Sequence, residues 1–271
     1  MDLKINNTDL IGKADINISK INVVGGVNSS GKSTLSKLLY CCLKSQKDNE
    51  SLDFLMDSEG LSFLNKEDIS FDNDLNLSEI FYIDSISILD LKDLEILRFD
   101  HIIHIKDALE NSEDNVSPTT QEILIKIQNI IKSDCSNENG ISAGIKEIGI
   151  IQILLQNNKL KESSFLIMDE PESNLHPSWQ IKFAEILVLL VKDLNVHIYL
   201  NSHSPMFIEA ISLYAQYYDL LKETNFYLTQ KVNDKHDFVK INPKNMGLIY
   251  ENLTQPYDEL DRLKAEILFK E

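Results

Sequence analysis

The chain contains few of the residues that interrupt or cross-link a fold. It has only 6 prolines, 9 glycines and 3 cysteines among 271 residues, so each proline and glycine carries positional information. Cys41, Cys42 and Cys135 lack metal-ligand spacing, and adjacent cysteines are awkward disulfide partners for each other. This usage argues against a disulfide framework and a structural metal, and it favours a reducing, cytoplasmic location.

Long apolar runs are also missing. The N-terminal segment has no apolar core of the kind found in signal peptides, and runs such as Ile186–Val191 are too short to span a bilayer. We therefore expect no membrane insertion.

Basic residues are scarce relative to acidic ones. The chain has 26 Lys and Arg against 43 Asp and Glu, a formal charge of −17, and no local basic cluster. Such a chain is repelled by nucleic acid and by anionic lipid, which leaves direct nucleic-acid binding uncertain. Two interpretations remain for the charge: solubility alone, or a surface suited to a basic partner.

Apolar patterning predicts strands that alternate with helices. Ile21–Val24 is a β-branched run that ends at two glycines, and residues 35–43 continue with an apolar helical face. Phe165–Met168 has the continuous apolarity of a strand buried on both faces, and Val196–Leu200 is predicted to be the next buried strand. Further strands are expected at 14–18 and 80–84 and in a hairpin over 225–241, with helices at 143–157, at 177–194, from 205 and from 257. The pattern indicates an α/β fold with a mostly parallel sheet and an antiparallel β edge.

We expect one domain over residues 1–271. Between about 86 and 140 the pattern is mainly helical and broken at Ser117-Pro118, where a cap and an N1 proline favour a helix start. This segment is predicted to be an inserted helical lobe, and about 256–271 a charged C-terminal helix.

Residues 26–33 match the phosphate-binding loop G-x-x-x-x-G-K-[ST] in full, between a predicted strand and a predicted helix. The glycines let successive backbone amides curl around phosphates, and the helix N-terminus adds partial positive charge. Lys32 is expected to reach the β- and γ-phosphates and to act in catalysis, and the Ser33 hydroxyl to bind Mg²⁺. The expected nucleotide contacts are Gly26, Asn28, Ser29, Ser30, Gly31, Lys32, Ser33 and Thr34.

Two carboxylates follow the apolar run at Phe165–Met168. Parallel α/β sheets bind ligands at the carboxyl ends of their strands, so Asp169 and Glu170 are expected beside the phosphates. Asp169 is the expected partner of Mg²⁺. Glu170 is the expected residue that orients or deprotonates the attacking water.

The run DEPESNLHP at residues 169–177, together with NSHSP at 201–205, resembles the ABC-type ATPases of the RecF and OLD branch, which includes ATPase subunits of prokaryotic antiviral systems. The resemblance covers most of the chain and implies a P-loop NTPase fold with ATP and Mg²⁺ as cofactors. It implies that Glu170 is the catalytic glutamate and that His203 contacts the γ-phosphate. Residues 173–176 would form the loop that crosses a dimer interface.

The family's signature motif has only a degenerate counterpart at residues 141–145. By resemblance, Ser142 and Gly144 of a second subunit would close over the γ-phosphate; a plain helix cap is the alternative. The family's Q-loop glutamine is not evident, although Asp84 or Ser85 lies near the start of the equivalent loop. No adenine-stacking aromatic is evident either.

These features predict an ATP-hydrolysing dimer that controls a separate effector, a nuclease or toxin, in antiviral defence. The chain itself shows neither a long coiled-coil repeat nor the acidic clusters of a nuclease domain. Three alternatives are a DNA-repair or chromosome-type ATPase, a transporter subunit, and a nucleotide-binding scaffold without turnover. The charge argues against the first, the degenerate signature against the second, and the paired acids at 169–170 against the third.

Overall fold

A computed structural model describes residues 1–84, 100–112, 116–132 and 145–268. The strands in these ranges form one nine-stranded sheet. They are β1 (Asp2–Asn6), β2 (Ile11–Asn17), β3 (Ile21–Gly25), β4 (Ile69–Asp72), β5 (Ile80–Ile83), β6 (Phe165–Asp169), β7 (His197–Ser202), β8 (Thr224–Val232) and β9 (Lys235–Ile241).

Helices cover both faces of the sheet. They are α1 (Lys32–Asp48), α2 (Leu52–Ser58), α3 (Asp100–Glu110), α4 (Pro118–Lys132), α5 (Ile145–Gln156), α6 (Pro177–Leu194), α7 (Pro205–Tyr217), α8 (Gly247–Thr254) and α9 (Pro256–Leu268). None of the helices in the described ranges is long and apolar enough to cross a membrane.

The sheet order is β4-β1-β2-β9-β8-β3-β7-β6-β5. Strand β3 pairs in parallel with both β7 and β8, and β6 pairs in parallel with β7 and β5. At the other side of the sheet, β1 pairs antiparallel with both β2 and β4. The prediction of a mostly parallel α/β sheet with an antiparallel edge is therefore confirmed.

The sheet separates two apolar clusters. Because side chains alternate along a strand, Val23 of β3 packs on the side of α5, α6 and α7, and Val24 packs on the side of α1 and α2. Every residue of β3 and β7 is buried, including the polar residues Asn22 of β3 and His197, Asn201 and Ser202 of β7. Burial on both faces holds the central strands rigidly, and the candidate site lies at their carboxyl ends.

Local helix signals are confirmed where a cap and a proline coincide. Ser204 accepts a hydrogen bond of 3.2 Å from Phe207 N, and Pro205 occupies the first turn of α7. At the start of α4, Ser117 accepts a bond of 3.1 Å from Thr120 N. These caps involve residues three apart in sequence, so the sequence alone suffices to predict them.

Several elements were not predicted. Strand β4 and helices α2 and α8 lie in segments with weak apolar periodicity, and β2 begins at Ile11, three residues before the alternating run. Helices α3 and α4 fall within the segment predicted to be a helical lobe. They pack on β5 and α6 respectively. Residues 86–99, 113–115 and 133–140 of that segment lie outside the described residues.

Candidate functional site

The carboxyl ends of three neighbouring strands bring the predicted site together. Gly25 of β3 pairs with Ser202 of β7, and Asn201 of β7 pairs with Asp169 of β6. The three strands therefore end at the same level. The loop at 26–31 leaves β3 there, and Glu170 leaves β6 there, with its backbone N–H donating to Asn201 O at 3.0 Å.

Two glycines shape the loop between β3 and α1. A Cβ on Gly26 would lie 1.9 Å from Oγ1 of Thr229 on the neighbouring strand, so no larger residue fits there without a shift. Gly31 has a φ of 87°, in the left-handed region, and directly precedes the first residue of α1. Helix α1 therefore begins directly after the loop, so the partial positive charge of its N-terminus lies at the end of β3.

Lys32 folds over this loop. Its Nζ donates to Gly26 O at 2.9 Å and to Val27 O at 2.8 Å. Burial lowers the pKa of the Lys32 amine, while the carboxylates of Glu170 and Asp169 act in the opposite direction. A buried amine that bonds to two loop carbonyls is held inside the curve of the loop, where an incoming phosphate would find it.

Ser33 and Asp169, the predicted Mg²⁺ ligands, are near enough for the Ser33 side chain to lower the pKa of the Asp169 carboxyl. Asp169 accepts a bond of 2.9 Å from Asn201 Nδ2. Burial raises the pKa of the Asp169 carboxyl, and the side chains of Ser33 and Asn201 oppose that rise. A hydroxyl and a carboxylate near each other are two oxygen ligands of the kind that Mg²⁺ takes.

Glu170 and His203, both predicted to be catalytic, are also neighbours. His203 Nδ1 lies 3.4 Å from Glu170 Oε1, and their side chains are 41% and 35% exposed. Glu170 has a backbone φ of 50°, a value that residues with a Cβ rarely adopt. Backbone strain of this kind is concentrated at functional sites.

Glu172 lies behind these two residues and is almost completely buried, with 1% of its surface exposed. Its Oε1 accepts hydrogen bonds from Ser202 Oγ at 2.6 Å, His203 N at 3.1 Å and Ser204 N at 3.2 Å. Burial raises the pKa of the Glu172 carboxyl, and the bonds from Ser202 and His203 oppose that rise. Three donors on one oxygen fasten the exit of β7 to the turn that follows β6.

A single cavity of about 380 Å³ joins the loop to the carboxylate. Its lining consists of Leu10, Asn28, Ser29, Ser30, Gly31, Lys32, Ser33, Thr34 and Glu170. Ser29 has a φ of 60°. The buried Ser30 Oγ has no hydrogen-bond partner among the described residues. A phosphate could accept a hydrogen bond from the Ser30 hydroxyl and could lie against the tight turn at Gly26. These residues therefore fit a nucleoside triphosphate.

Other predicted residues lie around or outside this site. Ser173 and Asn174 are exposed in the turn that follows β6. His176 caps α6 by accepting a hydrogen bond of 3.3 Å from Ser178 N. Asp84 at the end of β5 lies 3.7 Å from His101 Nε2. Ser142, Gly144 and Ser85 lie outside the described residues.

The local sequence predicts no role for Asn201, Glu172, Thr229 or Leu10. Asn201 and Glu172 stand within the two motifs that carry the resemblance, so their positions were visible but their contacts were not. Thr229 lies in the hairpin predicted over 225–241, and Leu10 lies before the strand predicted at 14–18. Nothing in their local sequence indicates the phosphate-binding loop as a neighbour.

A family model described as "AAA domain, putative AbiEii toxin, Type IV TA system" matches residues 100–209, which is less than half of the chain. No curated protein matches the chain.

Solved structures identify the fold. The SMC head domain from Thermotoga maritima is 11% identical with a TM-score of 0.52, over 89% of this chain and 98% of that one. MJ1267, an ATP-binding cassette of an ABC transporter, is 16% identical with a TM-score of 0.51, over 95% and 97%. An SMC head bound to the C-winged helix domain of ScpA is 13% identical with a TM-score of 0.50, over 91% and 98%. The chain thus has the P-loop ATPase fold of ABC cassettes and SMC heads.

Proposed function

We propose that this protein binds and hydrolyses ATP as an ABC-type ATPase of the RecF and OLD branch. The observation that carries the proposal is the cavity in which the phosphate-binding loop and Glu170 face the same space. A loop that binds phosphates and a carboxylate that can activate water are the two halves of a hydrolytic NTPase site. Residues 1–271 would form one such domain, with the helical lobe at about 86–140.

The chain's own residues divide the work of binding. The loop amides and the N-terminus of α1 would hold the phosphates. Lys32 would give up its hydrogen bonds to Gly26 O and Val27 O and donate to β- and γ-phosphate oxygens in their place. Ser33 and Asp169 would hold Mg²⁺, which supplies charge neutralisation between the phosphates when bound. The Ser30 hydroxyl would gain the partner that it lacks among the described residues.

Glu170 and His203 would act on the attacking water. Glu170 orients the water and accepts its proton as the water oxygen bonds to the γ-phosphorus. The bond from that phosphorus to the β–γ bridging oxygen breaks, and ADP and phosphate are the products. His203 donates to a γ-phosphate oxygen from a position beside Glu170.

A second copy of the chain would complete the site. Ser142 and Gly144 of that copy would contact the γ-phosphate, as the family resemblance implies, and Ser173 and Asn174 are exposed where such a copy would approach. ATP binding would thus close a homodimer in the cytoplasm, and hydrolysis would open it.

Three proteins test this proposal: wild type, Lys32→Ala and Glu170→Gln. Phosphate release should require Mg²⁺ in the wild type and fall by at least about 100-fold in Glu170→Gln. Lys32→Ala should lose ATP binding in a titration, whereas Glu170→Gln should bind ATP and form a dimer in light scattering. Wild-type protein that releases no phosphate, or Lys32→Ala with unchanged ATP affinity, would refute the proposal.

The biological output would be control of a separate effector, a nuclease or a toxin, in antiviral defence. Two observations support this: the resemblance to ATPases of such systems, and the toxin–antitoxin description of the family model that matches residues 100–209. Affinity purification with and without ATP and Mg²⁺, comparing wild type with Glu170→Gln, tests it. A partner that is retained only in the ATP state would support it, and recovery of duplex DNA as the sole partner would favour the chromosome-type alternative.

A further inference from the structure

Glu172 has a bonding pattern that its neighbours in the acidic run do not share. Its Oε1 takes three donors from three consecutive residues, Ser202, His203 and Ser204, at 2.6–3.2 Å. Hydrogen bonds to a carboxylate are stronger than neutral ones, and burial strengthens them further. The backbone on either side of His203 is therefore clamped to one buried oxygen.

A second bond braces the same segment from α6. Ser204 Oγ donates to Gln180 Oε1 at 2.8 Å, and Gln180 Nε2 donates to Leu175 O at 3.2 Å in the turn after Glu172. The exit of β7 is thus tied to the turn at 170–175 both directly and through α6. That turn contains the exposed Ser173 and Asn174, which we place at the dimer interface.

Glu172 does not line the cavity; Glu170 does. His203 Nδ1 is 3.4 Å from Glu170 Oε1 and 3.9 Å from Glu172 Oε1, so the imidazole lies against both carboxylates. Since Glu172 is buried behind this ring, it is placed to act on the ring's position and not on the substrate.

We infer that Glu172 is a positioning residue: by holding the amides of His203 and Ser204, it keeps the His203 imidazole beside Glu170. This inference rests on the proposed ATPase function. It also makes the clamp the physical link between the turn at the dimer interface and the histidine that reaches the γ-phosphate.

The first test compares Glu172→Ala with Glu172→Gln in phosphate release and ATP titration. Glu172→Ala should lower kcat by about 10- to 100-fold, the penalty for misplacing a catalytic group, with ATP affinity unchanged. Glu172→Gln keeps an acceptor oxygen for the three donors, so it should restore most of that loss.

Stability separates positioning from a general structural role. Glu172→Gln replaces Oε2, which has no partner among the described residues, with an amide donor, so its Tm should fall below that of wild type. A variant that is less stable and yet turns over ATP cannot owe its activity to stability. Glu185→Ala serves as the activity control. Glu185 lies on α6 and accepts a hydrogen bond of 3.1 Å from Tyr218 OH.

A double-mutant cycle tests whether Glu172 acts through His203. In the His203→Ala background, adding Glu172→Ala should lower kcat by less than about twofold, because the ring that Glu172 positions is already gone. Hydrogen exchange gives a readout that needs no ATP turnover. The amides of His203 and Ser204 should exchange at least about tenfold faster in Glu172→Ala than in wild type.

The outcomes separate the two proposals. If the wild type releases no phosphate but the amides of His203 and Ser204 exchange more slowly than in Glu172→Ala, the proposed function is refuted. The positioning of His203 by Glu172 is then still supported. An active wild type would overturn this inference in any of three cases: Glu172→Ala keeps wild-type kcat, Glu172→Gln is as slow as Glu172→Ala, or the two substitutions have independent effects in the cycle.

Discussion

Asn201 donates one hydrogen bond of 2.9 Å to Asp169 Oδ1 and another of 3.0 Å to Ser36 Oγ. The amide therefore joins three elements at the point where the site is built: α1 after the phosphate-binding loop, the last residue of β6, and the central strand β7. Asn201 is fully buried. Its role is to hold the carboxylate that we propose for Mg²⁺ at a set distance from the helix that carries Ser33.

Replacing Asn201 with alanine should weaken Mg²⁺-dependent ATP binding. The change removes both bonds, deprives the part-buried Asp169 Oδ1 and the buried Ser36 Oγ of this donor, and should lower the free energy of unfolding by about 1–3 kcal/mol. Asn22→Ala is the matched control, because Asn22 is equally buried and donates to Ser19 O and Ile198 O at the other end of the strands. Denaturant unfolding and Mg²⁺ titration of both proteins check this. Equal effects of the two changes on Mg²⁺ dependence would contradict it.

A side chain at Gly26 should be excluded by Thr229. Gly26→Ala would bring a Cβ to 1.9 Å from Thr229 Oγ1, displace the loop, and weaken ATP binding by at least about tenfold. Adding Thr229→Ala removes the clashing hydroxyl and should recover part of the affinity, leaving Thr229 Cβ at 3.0 Å. Gly149→Ala is the control: no described atom outside its own helix lies within 4 Å, and the change should raise stability by about 0.5–1 kcal/mol. A double variant that binds no better than Gly26→Ala would rule out this clash.

The left-handed backbone at Glu170 should be measurable as strain. Glu170→Ala and Glu170→Gly both remove the carboxylate, but only alanine keeps a Cβ at a φ of 50°. We expect Glu170→Gly to be more stable than Glu170→Ala by about 1 kcal/mol, opposite to their usual order. Thermal and urea unfolding of the pair check this. If alanine proves the more stable, the backbone at 170 is not strained.

Stability should fall in acid because of His197. Burial, reinforced by Lys20 and the N-terminal amine, lowers the pKa of His197 from 6.5 to about 4. Between these two values the unfolded chain binds a proton that the folded chain does not, so the free energy of unfolding decreases as the pH falls through this window. His197→Phe should flatten this dependence because it removes the group that titrates. Phenylalanine keeps an aromatic ring at this position, where His197 stacks on Phe165 with ring centroids 5.9 Å apart. Urea unfolding at pH 7 and pH 5 compares the two proteins. An unchanged pH slope in His197→Phe would assign the effect to other groups.

The amino-acid sequence by itself determined the features that depend on near neighbours. The phosphate-binding loop was evident because its glycines, Lys32 and Ser33 act within one turn of chain. The starts of α4 and α7 were evident because Ser117 and Ser204 cap amides three residues away. Strand β6 was evident because burial on both faces favours an unbroken apolar run, and β7 was evident from the shorter apolar run Ile198–Leu200. For the same reason the α/β class followed without any tertiary information.

Only the tertiary structure decided which distant residues meet. Asn201 bonds Asp169, Thr229 fills the space beside Gly26, and Glu172 clamps the backbone of His203 because β3, β7, β6 and β8 lie in the observed order and register. Strand order is set by the packing of both apolar faces together, and no local pattern encodes it. The strained φ of Glu170 and the buried Oε1 of Glu172 arise from the same cause, since each is imposed by elements far away in the chain.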